Sequence, residues 1–276
     1  MLPAEQASVS IMDRSYLYGE GLFETLRCYD GQIPFLQNHL KRLEWASVFM
    51  NLDYPSDVDF AAIFLELSQK NQLPNARLKI VLSRRQTGIE KGEPTFERNL
   101  VLFCEPLFSR PMPQAYKLKT MKMFANDSQP IVAMKTTNYL VKILAQMAAR
   151  DAGGDDGILL NAKGNVTETT SGNIFWIDPA GKLYTVMMGE GFLGGTTREL
   201  VIAALAEKNL KCHEAAVTPQ ELSHMREVFV TNAIMGIKPV IEVDGRQISG
   251  REIGPVTQLV SEIWQKKLES LLKEDA

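Results

Sequence analysis

Two residues of the 276-residue chain have the type and setting for carbonyl chemistry. Lys135 ends the apolar run IVAMK and stands just before a helix-like pattern. About thirty residues later Glu168 lies among small polar residues in a strand-like region. Partly apolar surroundings disfavour a charged amine, so a lysine there can become a neutral nucleophile toward a carbonyl carbon. A carboxylate facing the nitrogen of a pyridine ring keeps that nitrogen protonated, and lysine plus acid is the pairing that pyridoxal phosphate needs. Taken alone, the two residues fit a solvated lysine and a water-facing glutamate as well.

The elements around them must bring the pair together. Leu140, Ile143, Leu144, Met147 and Ala148 recur at helical spacing and predict a helix over about 138–151, with those residues as its buried stripe. Thr136-Thr137-Asn138 can cap it, and Gly153-Gly154 can end it. Lys142 competes with Lys135 from inside this helix. Strands at 158–160 and 166–168 flank Asn161-Ala162-Lys163-Gly164, and strands at 173–177 and 183–186 flank Asp178-Pro179-Ala180-Gly181, both hairpin signals. Leu193-Gly194-Gly195-Thr196-Thr197-Arg198 opens a helix at 199–209, and its backbone N–H groups make a cup for an anion. A strand at 227–231 runs into the loop Asn232-Ala233-Ile234-Met235, and an amphipathic helix covers about 255–272.

The first part of the chain reads as a strand that starts after Tyr18-Gly19-Glu20-Gly21 and puts Phe23, Thr25, Arg27 and Tyr29 on one face, with Glu24, Leu26 and Cys28 on the other. A helix over 34–51 carries Arg42, and a second at about 56–72 starts at Ser56 and Asp57. Strands follow at 76–83 and 100–105, with a polar loop between them. Three prolines within 106–116 mark a linker. The expected division is therefore an α/β domain over 1–108, a linker at 109–116, and a second domain over 117–276 that holds the chemistry.

Composition narrows the class. Apolar residues make up 45%, charged residues 23%, and the net charge is −3, so neither nucleic acid nor a membrane surface is an expected partner. No apolar run reaches the roughly 18 residues of a spanning helix, and the N-terminus lacks a signal-peptide pattern. Three scattered cysteines and three scattered histidines predict no metal site and a cytoplasmic setting.

Five blocks, from YGEGLFETLRCYDG (18–31) to TNAIMGIKPV (231–240), resemble the fold type IV pyridoxal-phosphate enzymes in order and spacing. This class IV aminotransferase family includes branched-chain aminotransferases, D-amino acid aminotransferases and aminodeoxychorismate lyases. The resemblance implies an α+β fold of two α/β-type domains, the second a barrel-like, mostly antiparallel sheet with flanking helices. It implies pyridoxal 5'-phosphate held by Lys135, with Glu168 at the ring nitrogen and Tyr139 at the ring oxygen. Arg42, Thr196 and Thr197 would serve the phosphate, Leu193 would pack on the ring, and Gly195, Asn232 and Ala233 would also bind the cofactor. Tyr18, Phe23, Thr25, Arg27 and Asn232 would line the substrate pocket, some of them serving a partner subunit of a homodimer. The carboxylate grips of the aminotransferases are missing in standard form, since Arg77-Leu78-Lys79 stands where branched-chain enzymes carry Tyr-x-Arg. Asn232-Ala233-Ile234-Met235 resembles the lyases, so the expected reaction is the release of pyruvate from 4-amino-4-deoxychorismate, with amino transfer as the alternative.

Overall fold

The computed structural model describes residues 1–107, 112–124 and 130–274. Its architecture is α+β, built on two sheets. The first has three antiparallel strands, β1 (Gly21–Cys28), β2 (Ala76–Glu90) and β3 (Glu93–Pro106), in that order. Helices α2 (Leu36–Phe49) and α3 (Phe60–Lys70) pack on it, and Leu26, Leu43, Phe64, Leu78 and Ile80 form the core between. A short α1 (Arg14–Tyr18) precedes β1 and is capped by Asp13, which accepts from the Ser15 N–H at 2.8 Å.

Two features of this half differ from the sequence reading. Residues 84–95 are no loop: β2 and β3 form one long hairpin that turns at Lys91-Gly92, both at positive φ. A two-residue turn of that kind matches the twist of its strands, and the polar run reads as a loop because both faces of the ribbon's end are exposed. The second helix starts at Phe60, capped by Asp59 rather than by Ser56 or Asp57. The linker expected at 109–116 falls partly on residues outside the described ones.

The second sheet has the order β6-β5-β4-β11-β10-β7-β8-β9, with β12 (Arg246–Gln247) paired to β11. Its strands are β4 (Tyr116–Phe124), β5 (Asp156–Leu160), β6 (Val166–Thr169), β7 (Asn173–Ile177), β8 (Leu183–Val186), β9 (Cys212–Ala215), β10 (Glu227–Asn232) and β11 (Gly236–Val243). Five of the eight pairings are antiparallel. The sheet curls so that β6 comes back beside β7, giving the barrel-like form. Ile158, Val166, Ile174, Trp176 and Val230 fill its inside, while Phe175, Phe229, Val201 and Trp264 join its outside to α5 (Thr196–Glu207) and α7 (Pro255–Glu274).

Helix α4 (Leu140–Asp151) corrects a second expectation. It buries Ala145 and Ala149 against Met121 and Leu159, because small residues let the helix lie close to β4 and β5. The stripe expected to be buried faces outward instead: Leu140 is 61% and Met147 54% exposed, and Ile143 and Leu144 are exposed as well. Its N-cap is Tyr139, with no side-chain capping bond.

Candidate active site

Residues from both sheets line one cavity of about 270 Å³. Lys135 reaches it because the backbone at 135–137 is clipped to the start of β1. The Lys135 carbonyl accepts from the Phe23 N–H at 2.8 Å, and the Thr137 N–H donates to the Gly21 carbonyl at 2.8 Å. Thr137, read from the sequence as a forward helix cap, turns back and donates its hydroxyl to the Gly19 carbonyl at 2.9 Å. Gly19 itself sits at φ +69°, a conformation that favours glycine. The lysine is thus fixed by a strand contact before its helix begins.

The Lys135 amine stands 4.3 Å from the Phe23 ring centroid and 5.7 Å from that of Tyr139. Burial, and then the Arg42 guanidinium, bring its pKa from 10.5 down to about 7. Lys142 acts in the same direction, and Glu24 and Glu168 oppose. Glu168 lies on β6, 4% exposed, with the Lys142 ammonium 2.8 Å from its Oε1. Burial weighs most against the charge on Lys142, but Glu168, with Tyr139 and Asp156, together outweigh it and hold this lysine above its ordinary range. The competition between the two lysines is resolved by charge: Lys142 stays an ammonium ion, and Lys135 is the amine that can be free at neutral pH.

Arg42 lies under the far end of the cavity. It donates from Nε and an η-nitrogen to Glu24, at 2.8 and 2.7 Å, and from its other η-nitrogen to the Gly194 carbonyl at 2.8 Å. Glu24 is fully buried, and burial opposes its charge, but Arg42 and His39 prevail and hold its pKa at about 2. His39 Nδ1 meets Glu24 at 2.7 Å, so that nitrogen carries the proton and Nε2 faces the Thr196 hydroxyl at 3.3 Å. Sequence reading placed Glu24 on the face opposite Phe23 and gave it no role. The signal was there: a carboxylate alternating with Leu22, Leu26 and Cys28 points into the core, where a charge needs partners.

The expected site residues divide accordingly. The cavity is lined by Phe23, Thr25, Arg42, Lys135, Tyr139, Glu168, Leu193, Gly195, Thr196, Thr197, Asn232 and Ala233. Two expected residues are elsewhere. Tyr18 is 66% exposed and lies under the Arg14 guanidinium, on the short helix α1 that packs against β2. Arg27 is behind the 232–235 turn, donating to the Ile234 carbonyl at 2.8 Å and covering the Tyr29 ring. Among the residues in the cavity, two spend their polar groups locally. The Tyr139 hydroxyl donates to the Thr170 carbonyl at 3.2 Å. Asn232 donates to the Ser171 carbonyl and accepts from the N–H groups of Ile234 and Met235, so it builds the turn. Arg77, Ser171, Asn173 and Thr231 also line the cavity and were not expected there.

These groups fit pyridoxal 5'-phosphate. The first-turn N–H groups of α5 have no intrahelical acceptor, and its N-cap Gly195 supplies no side chain to satisfy them. A Cβ at Gly195 would collide with Asn173 Oδ1, so only glycine lets the backbone lie this close. Thr231 Oγ1 is buried with no hydrogen-bond partner in the described residues. A phosphate against α5, Arg42 and Thr231 would satisfy all three, with Lys135 for the aldehyde carbon and Glu168 for the ring nitrogen.

Comparison with known proteins gives the same answer. Residues 21–243 match the family model for amino-transferase class IV. A Methanocaldococcus jannaschii protein provisionally named a branched-chain-amino-acid aminotransferase is 32% identical, over 94% of this chain and 90% of its own. The crystal structure of a Legionella pneumophila protein provisionally named 4-amino-4-deoxychorismate lyase superposes with a TM-score of 0.86 at 27% identity, covering 95% of this chain and 96% of that one. A Thermoproteus uzoniensis branched-chain aminotransferase with norvaline superposes at 0.85, with 27% identity and coverage of 95% and 90%.

Proposed function

The chain belongs to the class IV aminotransferase family, and we propose that within it the protein is a 4-amino-4-deoxychorismate lyase, releasing pyruvate to leave 4-aminobenzoate for folate synthesis. The family makes it an enzyme of small amino compounds with pyridoxal 5'-phosphate as cofactor. When bound, that cofactor withdraws electrons from the substrate carbon that bears the amine. The chain's own residues divide the remaining work. Lys135 Nζ, neutral near pH 7, takes the proton from the substrate and returns it as an acid. Glu168 would keep the ring nitrogen protonated. Arg42, the Thr196 and Thr197 N–H groups and the Thr231 hydroxyl would hold the phosphate. Leu193 and Phe23 keep water from the reacting carbon.

The observation that carries the lyase reading is a guanidinium in the cavity wall, with a lysine near it. Arg77 lines the cavity with its Nε buried and unpartnered among the described residues, while an η-nitrogen pairs with Glu105 at 2.7 Å. Lys79 stands beside it, 5.0 Å from the Phe23 ring. Aminodeoxychorismate carries two carboxylates, and such a wall suits a dianion. The Asn232–Met235 turn supports the same reading. A second reading is amino transfer between a branched-chain or D-amino acid and a 2-oxo acid, and the Methanocaldococcus and Thermoproteus relatives favour its branched-chain form. Release of 4-aminobenzoate, followed by its fluorescence with freshly made 4-amino-4-deoxychorismate, separates them. Fast release supports the lyase. No release from protein that keeps its cofactor absorption band overturns it, and a panel of amino acids then identifies the donor.

The quaternary and cellular parts of the reading rest on the surface. No helix among the described residues is long and apolar enough to cross a membrane. Our reading is a cytoplasmic homodimer in which the exposed apolar face of α4 and the exposed Tyr18 meet a second copy and complete its site. A division into domains over 1–108 and 117–276 follows the two sheets. Light scattering tests the dimer, and a fully active monomer would refute the shared site.

A further inference from the structure

We propose that Lys142 is a positioning residue of this site: its ammonium clamps the Glu168 carboxylate and adds a positive field around Lys135. The proposal rests on the assignment of Lys135 and Glu168 given above.

The geometry is particular. Lys142 Nζ lies 5.5 Å and Lys135 Nζ 5.7 Å from the centroid of the same Tyr139 ring, so the two amines share one aromatic neighbour. Among the described residues only the first is matched by a carboxylate at contact distance, Glu168 Oε1 at 2.8 Å. The charged and titratable groups around the two amines are Glu168, Tyr139 and Asp156 for Lys142, and Arg42, Glu24, Lys142, Glu168, His39 and Tyr139 for Lys135. Arg42 is tied to Glu24, and Lys142 to Glu168, so each acid beside Lys135 has its own cation. Lys135 is the amine left over. Without Lys142, the cations left near Glu168 are Arg42, which Glu24 already holds, and Lys135, so the amine that must be free would be drawn toward an ion pair. Lys142 therefore does for Glu168 what Arg42 does for Glu24.

The reasoning gives a sign and a size. Two unit charges about 10 Å apart at an effective dielectric constant of about 20 interact strongly enough to move a pKa by about one unit. Removing the Lys142 charge should raise the Lys135 midpoint, and removing the Glu168 charge as well should bring it back, because the pair is then neutral as before.

The test uses the cofactor-free full chain and a small acylating ester, with modification of Lys135 followed by mass spectrometry between pH 5 and 10. The wild-type midpoint is expected near 7. Lys142→Met should move it up by about one unit, which slows modification at pH 7 about fivefold. Lys142→Arg should leave it in place, and Lys142→Met with Glu168→Gln should restore it. An unchanged midpoint in folded Lys142→Met overturns the proposal, and so does a double variant that stays shifted. Should Lys142→Met fail to fold, Lys142→Gln removes the same charge with a side chain that can still hydrogen-bond Glu168, and the same two outcomes decide. Because no pyridoxal phosphate enters this assay, a wild type that is acylated at Lys135 but takes no pyridoxal phosphate would refute the cofactor reading and leave this proposal standing.

Discussion

Lys135 should make the cofactor-free protein less stable at neutral pH than it would be without its amine. Burial and Arg42 depress its pKa from 10.5 to about 7, so between those values the unfolded chain binds a proton that the fold rejects. Above about pH 10.5 both states hold a neutral amine and the penalty vanishes. Below about 7 both are charged and the fold bears the whole penalty. The gap between 10.5 and about 7, at 1.36 kcal/mol per pH unit, sets a ceiling of about 5 kcal/mol. The residue is partly accessible, and solvent reaching the cavity screens the charge, so about 3 kcal/mol is the working figure. Lys135→Met keeps most of the side-chain volume and removes the charge.

The assay is thermal unfolding of wild type and Lys135→Met, both freed of cofactor, at intervals from pH 6 to 10. For a chain of this size about 1 kcal/mol corresponds to about 2–4 °C in Tm, so the variant should melt about 6–12 °C higher at pH 7. The advantage should shrink as pH rises and be nearly gone by pH 10. Subtracting the curves removes what the other titrating groups contribute. Parallel curves would refute the reasoning, because they would mean that Lys135 carries its proton in the fold as it does in the open chain.

Four further outcomes follow from named contacts. Glu24→Gln leaves Arg42 without its carboxylate in a buried position and should cost about 3–5 kcal/mol, read as a lowered urea midpoint. Glu24 also gives an acid limit: its carboxyl is held at about 2 against an ordinary 4.5, so its contribution is complete above about pH 4.5 and is lost as pH falls toward 2, visible as a steep acid transition that the variant lacks. Glu168→Ala should weaken cofactor retention and slow turnover, both measured by dialysis and rate, and unchanged values would mean that another acid serves the ring nitrogen. Arg77→Ala should raise KM for a dicarboxylate substrate about tenfold or more while monocarboxylate substrates change little, as steady-state kinetics would show.

Much of the fold could be read from periodicity, and the exceptions have physical causes. The strands at 173–177 and 183–186 and the helix ending the chain came out as expected, since each has flanking turn chemistry and a clear buried face. The polar ribbon at 84–95 gave no such signal, because a hairpin exposed on both faces has no apolar alternation to show. The stripe on α4 gave the right helix and the wrong environment. Spacing records which residues share a face, but not whether that face meets the chain's own sheet or lies open, and here two alanines took the inner side. At the site, Lys135 and Glu168 were legible from type and setting and most of the other cavity residues through the resemblance, but not Arg77, Ser171, Asn173 and Thr231; the roles of Glu24 and Lys142 depend on which charge meets which, and that is fixed only by the tertiary contacts.

Those two residues explain how one cavity can hold so many cations without a large net field. Arg42 and Lys142 each stand within hydrogen-bond distance of a nearly buried carboxylate, Glu24 at one end and Glu168 at the other. Each pair is locally neutral, so it costs less to bury than either charge alone. Each also leaves something unspent: Arg42 has remaining guanidinium hydrogens at the phosphate end, and Glu168 has its second oxygen at the other. Lys135 lies between the pairs with no acid of its own among the described residues. A fully matched lysine would be a spectator, and a lysine in an unrelieved positive field would never accept a proton. Burial, and then Arg42, bring the amine down to about 7 while Glu24 and Glu168 oppose, and there it can both give and take a proton at the pH of the reaction.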